Sequence, residues 1–286
     1  MTIMFNFTAN NIDPAAAARA NNRKNAKPGR SVLLRIKRCE GPGQASRWEE
    51  FKVPVPPGAN VISCLQWIAA NPTTTSGQQT TPVVWDSGCL EEVCGSCTMV
   101  INGRVRQSCS ALIDDYAPAE NDVVALEPMS KFPVVRDLWV DRDRLFYNLT
   151  RIKAWVPIDG TYDLGGGPTE SPDNQATRYK LSECMSCGCC LEACPQFDLE
   201  ADKATWDSTF IGAHAISQAR LFNEHATGKI LKDERLDALM ASGGVNDCGN
   251  AQNCVKVCPK HIPLTESIAA MGRAVTLHSI KRFFRA

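Results

Sequence analysis

Three groups of cysteines at fixed spacing constrain this chain more than any other feature. Cys89, Cys94 and Cys97 follow C-x4-C-x2-C, and eleven residues separate Cys97 from Cys109. Cys184, Cys187, Cys190 and Cys194-Pro195 follow C-x2-C-x2-C-x3-C-P. Sixty-four residues after Cys184 the same spacing returns in Cys248, Ala251, Cys254 and Cys258-Pro259, with alanine at the second position. Fourteen cysteines in 286 residues exceed what ordinary packing uses, and most are grouped. Thiols gathered this way are either bridged or placed on metal. The first thirty residues lack the apolar core of a signal peptide, so a disulfide framework is not expected and the compartment reads as reducing.

The first group has the plant-type 2Fe-2S arrangement. Met99-Val100-Ile101, Asn102-Gly103 and Arg104-Val105-Arg106 read as a hairpin with a type I′ turn, which returns Cys109 to the side of Cys97. Gly88 and Gly95 let the backbone wrap closely, so that amide donors reach the sulfurs. A four-cysteine zinc knot is the competing reading, but zinc sites present two C-x2-C knuckles and only one such pair occurs here.

The second run is that of bacterial ferredoxins, in which the last cysteine serves the other cluster. Crossing the fourth cysteines between the two runs gives a full set, Cys184, Cys187, Cys190 and Cys258, for a 4Fe-4S cluster. It leaves a short set, Cys194, Cys248 and Cys254. A cubane corner without a thiolate binds its iron weakly, so this site is expected to hold a 3Fe-4S cluster. Cys39 and Cys64 read as small buried hydrophobes. Cys189, off the ligand spacing, reads as a neighbour of the cluster. The four histidines, His214, His225, His261 and His278, sit at no cluster spacing and read as satisfied surface or helix residues.

Around these groups, Val32, Leu34, Ile36 and then Phe51, Val53, Val55 alternate as paired strands across Gly41-Pro42-Gly43. Val61 to Ala70 reads as a helix, and Val83-Val84-Trp85 and Val123 to Leu126 as strands of a small mixed sheet. Leu138 to Trp155 has helical spacing, residues 156–178 read as a linker, and Ile211, Ala215, Ala219, Phe222 and the stretch Leu264 to Phe284 predict a helical second half. The length suits two domains. Lys plus Arg and Asp plus Glu both total 31, so no net field recruits nucleic acid. No window approaches a membrane-spanning apolar run.

Together the cysteine groups and the string Cys184-Met-Ser-Cys187-Gly-Cys189-Cys190-Leu-Glu-Ala-Cys194-Pro195 closely resemble the iron–sulfur subunits of succinate dehydrogenase and fumarate reductase. Phe210-Ile211-Gly212, Asp247 to Cys254 and Cys258-Pro259-Lys260 resemble the branch found with menaquinone in many bacteria. The resemblance implies an α+β chain: an extension over 1–30, a β-grasp 2Fe-2S ferredoxin domain over 31–135 and an α-helical ferredoxin domain over 136–286. It implies a flavoprotein partner carrying FAD, membrane-anchor subunits with or without haem, and a place on the cytoplasmic face of the bacterial plasma membrane. Electrons would run from flavin through 2Fe-2S, 4Fe-4S and 3Fe-4S to quinone, with no catalytic residue in this chain. Pro195, Gln196, Phe197, Gly249 and Asn250 are quinone-side candidates by position. Ubiquinone-type members carry tryptophan after the Cys-Pro pair and histidine after the first cysteine of the last run. Here Phe197-Asp198 and Gly249 stand there, which favours menaquinone. Fumarate reduction, or a free-standing ferredoxin carrier, are the alternatives.

Overall fold

A computed structural model describes residues 14–157, 169–198 and 203–284. Its first half is a five-stranded sheet built from β1 (Ser31–Arg38), β2 (Arg47–Pro54), β3 (Thr98–Ile101), β4 (Arg104–Gln107) and β5 (Val123–Glu127), in the order β2-β1-β5-β3-β4. β1 runs antiparallel to β2 and parallel to β5. The alternation along β1 sends Val32, Leu34 and Ile36 inward, opposite Val53 and Phe51 of β2 and beside Val124 and Leu126 of β5. A helix over Val61–Ala70 packs into this core through Val61, Ile62, Leu65 and Ile68. Its cap is reciprocal: the Asn60 side chain accepts from Ser63 N, and Ser63 Oγ accepts from Asn60 N.

The expected hairpin is present. Asn102 and Gly103 have φ of 48° and 75°, both in the left-handed region that a type I′ turn requires. Three expectations change. Val83–Trp85 runs extended but joins no ladder, because the Val84 N–H is taken by the Asp137 carboxylate at 2.9 Å. The helix expected from Leu138 begins only at Asp143; ahead of it, β6 (Val134–Arg136) and β7 (Trp139–Val140) pair as a short ribbon. The chain before β1 is not wholly irregular either. Pro14–Asn25 form a helix, here α1, with the helix over 61–70 becoming α2. Arg23 ties α1 down by two bonds, 2.8 and 2.9 Å, to the buried Asp115 carboxylate.

The second half is helical: α3 (Asp143–Arg151), α4 (Pro172–Ser182), α5 (Cys189–Glu192), α6 (Gly212–Glu224), α7 (Lys232–Met240), α8 (Asn253–Val257) and α9 (Leu264–Phe283). α4 starts inside the expected linker, capped by Ser171; residues 158–168 of that linker lie outside the described residues. α6 is the central helix, packed against α4, α7 and α9. The halves share a core in which Val105, Met129 and Phe132 meet Leu145, Cys189, Leu191 and Phe197. Glu192 of α5 latches the seam by accepting from Ser130 N, Ser130 Oγ and Lys131 N at 2.6–2.9 Å.

Candidate cluster-binding sites

The loop carrying Cys89 and Cys94 folds around its own sulfurs. The backbone N–H groups of Glu91, Val93 and Cys94 donate to Cys89 Sγ, and Cys89 N–H to Cys94 Sγ, each at 3.3 Å. Leu90 and Glu92 take left-handed φ of 62° and 54°. Non-glycine residues pay for that conformation, and it recurs where backbone groups must be aimed. Burial works against ionisation of Cys94, yet hydrogen bonds from the Cys89 and Ser96 backbones outweigh it and bring the thiol down to about 6. Burial and the Cys97 hydrogen bond push Cys109 up to about 12. Cys97 and Cys109 are juxtaposed as the hairpin dictates: Ser108 N–H and Oγ–H both donate to the Cys97 carbonyl, and Asn60, the α2 cap, donates to the Cys109 carbonyl at 2.9 Å.

The second and third groups interleave. α5 packs on α8, and Asn253 of α8 donates to the Ala193 carbonyl that follows α5. The charges felt by each thiol report its neighbours. Cys184 senses Cys187 and Cys258; Cys190 senses Cys187, Cys184, Cys258 and Cys254; Cys254 senses Cys194 and Cys248. Cys258 thus lies within electrostatic reach of Cys184 and Cys190, and Cys194 within that of Cys254. Burial pushes Cys184 and Cys254 up to about 11, and it also raises Cys190 well above the ordinary thiol value. Thiols this reluctant to ionise surrender their protons to a cation that replaces the lost solvation.

A narrow cleft of about 20 Å³, room for about one water, lies beside Ala251. Cys194, Cys248 and Cys254 line it together with Pro195, Gln196, Gly249 and Asn250. A Cβ at Gly249 would lie 2.6 Å from Gln196 Nε2, so the amide occupies the space of a side chain there. Phe197 departs from the quinone-side expectation. It is fully buried in the core between the halves, 5.8 Å from Phe132 and 4.0 Å beneath the Arg144 guanidinium, because that core needs a large apolar side chain there.

All fourteen cysteines are free. Cys64 is a core residue whose thiol burial pushes up to about 12, and Cys39 is buried with its sulfur 3.1 Å from the Gly41 carbonyl. Of the histidines, His214 is a helix residue, as expected, but only half satisfied: it is buried on α6, its Nε2 lies 3.0 Å from Ser186 Oγ, and its Nδ1 has no partner. Burial lowers it to about 4, so it is neutral. The spacing gave no signal for Gln107 or Arg142. Gln107 is fully buried between the first and second groups. Arg142 donates to the Gly95 carbonyl at 2.9 Å and favours ionisation of Cys187. Such roles appear only when the halves are assembled.

These residues fit iron–sulfur clusters. Backbone donors already point at Cys89 and Cys94, and the fold gathers one set of thiols in the sheet half and the rest around α5 and α8 in the helical half. Among the described residues no three Cys, His, Asp or Glu side chains are drawn tightly enough to hold one metal ion. A cluster asks something else, since its thiolates are shared out over several irons.

Residues 33–147 match the family described as a 2Fe-2S iron–sulfur cluster binding domain, and residues 180–262 the 4Fe-4S dicluster domain. The succinate dehydrogenase iron–sulfur subunit of Bacillus subtilis (strain 168) is 54% identical over 236 residues, 82% of this chain and 89% of the relative. This chain is a member of the succinate dehydrogenase and fumarate reductase iron–sulfur subunit family. A fumarate reductase iron–sulfur subunit of Escherichia coli O6:H1 is 33% identical over 61% of this chain and 66% of its own length. The fold is that of a solved chain of the Mycobacterium smegmatis Sdh1 complex, TM-score 0.71 at 23% identity over 86% of this chain and 96% of that one. This family member combines a 2Fe-2S domain with a dicluster domain. Among its described residues no helix is long and apolar enough to cross a membrane.

Proposed function

We propose that this chain is the electron-transfer subunit of a succinate:quinone oxidoreductase, peripheral on the cytoplasmic face of the bacterial plasma membrane between a flavoprotein and membrane-anchor subunits. Cys89, Cys94, Cys97 and Cys109 hold a 2Fe-2S cluster; Cys184, Cys187, Cys190 and Cys258 a 4Fe-4S cluster; Cys194, Cys248 and Cys254 a 3Fe-4S cluster. Residues 31–135 form the first domain and 136–286 the second, with 1–30 an extension. Bound there, the clusters supply one-electron carriers between the partner's FAD and membrane quinone.

The observation that carries this reading is the direct contact between the first two cysteine loops. A Cβ at Gly95 would lie 2.7 Å from Cys187 Cα, so the loops touch backbone to backbone. The third group adjoins the second through α5 and α8. The chain's own work is to hold the thiolates, aim amide donors at their sulfurs and keep water out with the shared core. Ala251 withholds a fourth ligand from the last site. The Gln196 amide fills the space beside Gly249, where ubiquinone-type members carry histidine, and this supports menaquinone, with Pro195, Gln196, Gly249 and Asn250 facing it and haem belonging to the anchor where it is present.

The test is to purify the complex anaerobically and add succinate. The expected result is a brown preparation, with iron rather than zinc, whose visible absorption bleaches within the assay and recovers with a menaquinone analogue. A preparation that succinate does not bleach, or one that carries zinc, overturns the reading.

A further inference from the structure

A cavity of about 440 Å³ opens where three parts of the chain meet. Arg19 of α1 lines it, with Arg104 and Arg106 of β4, Lys256 of α8, and His261 from the segment between α8 and α9. Arg104 Nη2 donates to the Lys256 carbonyl at 3.1 Å, which ties the hairpin to α8 beside the cavity. Among the described lining residues Glu92 is the one carboxylate, and its Oε1 accepts from Ser110 Oγ at 2.8 Å. Among the described residues the side chains of Arg106, Lys256 and His261 have no hydrogen-bond or ion-pair partner. Arg106 is half-buried, so its guanidinium gives up part of its hydration with no internal anion in return. α1 lies ahead of residue 33, where the 2Fe-2S family match begins, so one wall of this cavity comes from outside the shared domains.

We propose that this cavity binds a small molecule bearing phosphate groups, with Arg106 and Lys256 as its main partners. The volume is that of a small-molecule site. Its lining carries four cationic side chains to one carboxylate, an excess that only an anion balances. A guanidinium offers paired N–H donors that match phosphate oxygens, and an ammonium adds a point charge. A diphosphate concentrates more charge in the same span than a dicarboxylate, whose charges stand apart at its two ends. Cations converging from three elements on one cavity suit the compact group. The binding uses no cluster and moves no electron, so it stands or falls separately from the ligand assignment above. It gives the extension ahead of β1 a use, as a wall of the site.

The experiment is calorimetric titration of the intact complex with pyrophosphate, and separately with citrate at matched ionic strength, in the parent and in Arg106→Gln, Lys256→Gln and Lys229→Gln. The expected result is saturable pyrophosphate binding to the parent that each of Arg106→Gln and Lys256→Gln weakens about tenfold, as loss of a hydrogen bond to a charged group does. Lys229, an exposed cation between α6 and α7 and away from the cavity lining, serves as the control: Lys229→Gln should bind like the parent. No saturable heat in the parent, or equal affinity in the parent and both cavity variants, overturns the proposal. Citrate that binds as tightly as pyrophosphate and weakens in the same variants overturns the phosphate assignment. If Arg106→Gln does not assemble, Lys256→Gln decides, since Lys256 is exposed and its loss disturbs no packing.

Discussion

Gly95 and Cys187 come from different halves of the chain, and the backbone of one rests on that of the other. Gly95 also has a φ of 73°, which a residue with a side chain rarely adopts. Gly95→Ala therefore meets both backbone strain and a collision with Cys187 Cα and the Met185 carbonyl. The expected cost is about 2–4 kcal/mol, from strain plus overpacking. Both the 2Fe-2S and 4Fe-4S signals should be perturbed, because the contact belongs to both loops. Thermal denaturation and cluster spectra of the purified complex check this; an unchanged pair of signals contradicts the contact.

A buried ion pair ties the end of β1 to the turn between β6 and β7. Arg38 Nε donates to Asp137 Oδ1 at 2.9 Å with both side chains fully buried, and the same carboxylate accepts from Cys39 N and Val84 N. Removing Asp137 leaves Arg38 with Glu49 as its one carboxylate and takes the acceptor from the Cys39 and Val84 amides, so Asp137→Ala should cost about 3–5 kcal/mol. The double variant Arg38→Met, Asp137→Leu should regain part of that loss. Denaturant unfolding of the three proteins measures it.

His214 makes stability depend on pH. Its folded value is about 4 against an ordinary 6.5, so between these the unfolded chain binds a proton that the fold refuses. The contribution is complete above about pH 6.5 and is lost progressively as pH falls toward 4, by up to ~3 kcal/mol. His214→Gln should flatten the difference in melting temperature between pH 7 and pH 5. A parent and variant that lose stability in parallel would place the acid sensitivity elsewhere.

The cysteine spacing made the 2Fe-2S and dicluster domains legible because ligand spacing is local and its chemistry is strict. The paired strands and α2 were legible from alternation and from helical periodicity. What depended on distant partners was not. Val83–Trp85 has strand composition, but Asp137 claims its amide from more than fifty positions away. α1 carries the Ala-rich composition of a helix behind Pro14, yet its docking rests on Asp115, ninety-two residues from Arg23. Phe197 sits next to the cleft in sequence and faces the other way in space, because the shared core takes it. Gln107 and His214 became visible as site residues only where the two halves, or α6 and the second loop, close on each other.

Ala251 lines the cleft with Cys194, Cys248 and Cys254, at the position where the preceding run has Cys187. Ala251→Cys supplies the thiolate the site lacks. The expected outcome is conversion of the last cluster to a four-iron form, with loss of the oxidised three-iron signal and slower quinone reduction.

The most direct measurement is electron paramagnetic resonance of the anaerobically purified parent complex, as isolated and after dithionite. The account predicts an oxidised three-iron signal as isolated, with reduced 2Fe-2S and 4Fe-4S signals appearing on dithionite. Two four-iron clusters and no three-iron signal would contradict it, since a ligand other than cysteine would then complete the site beside Ala251.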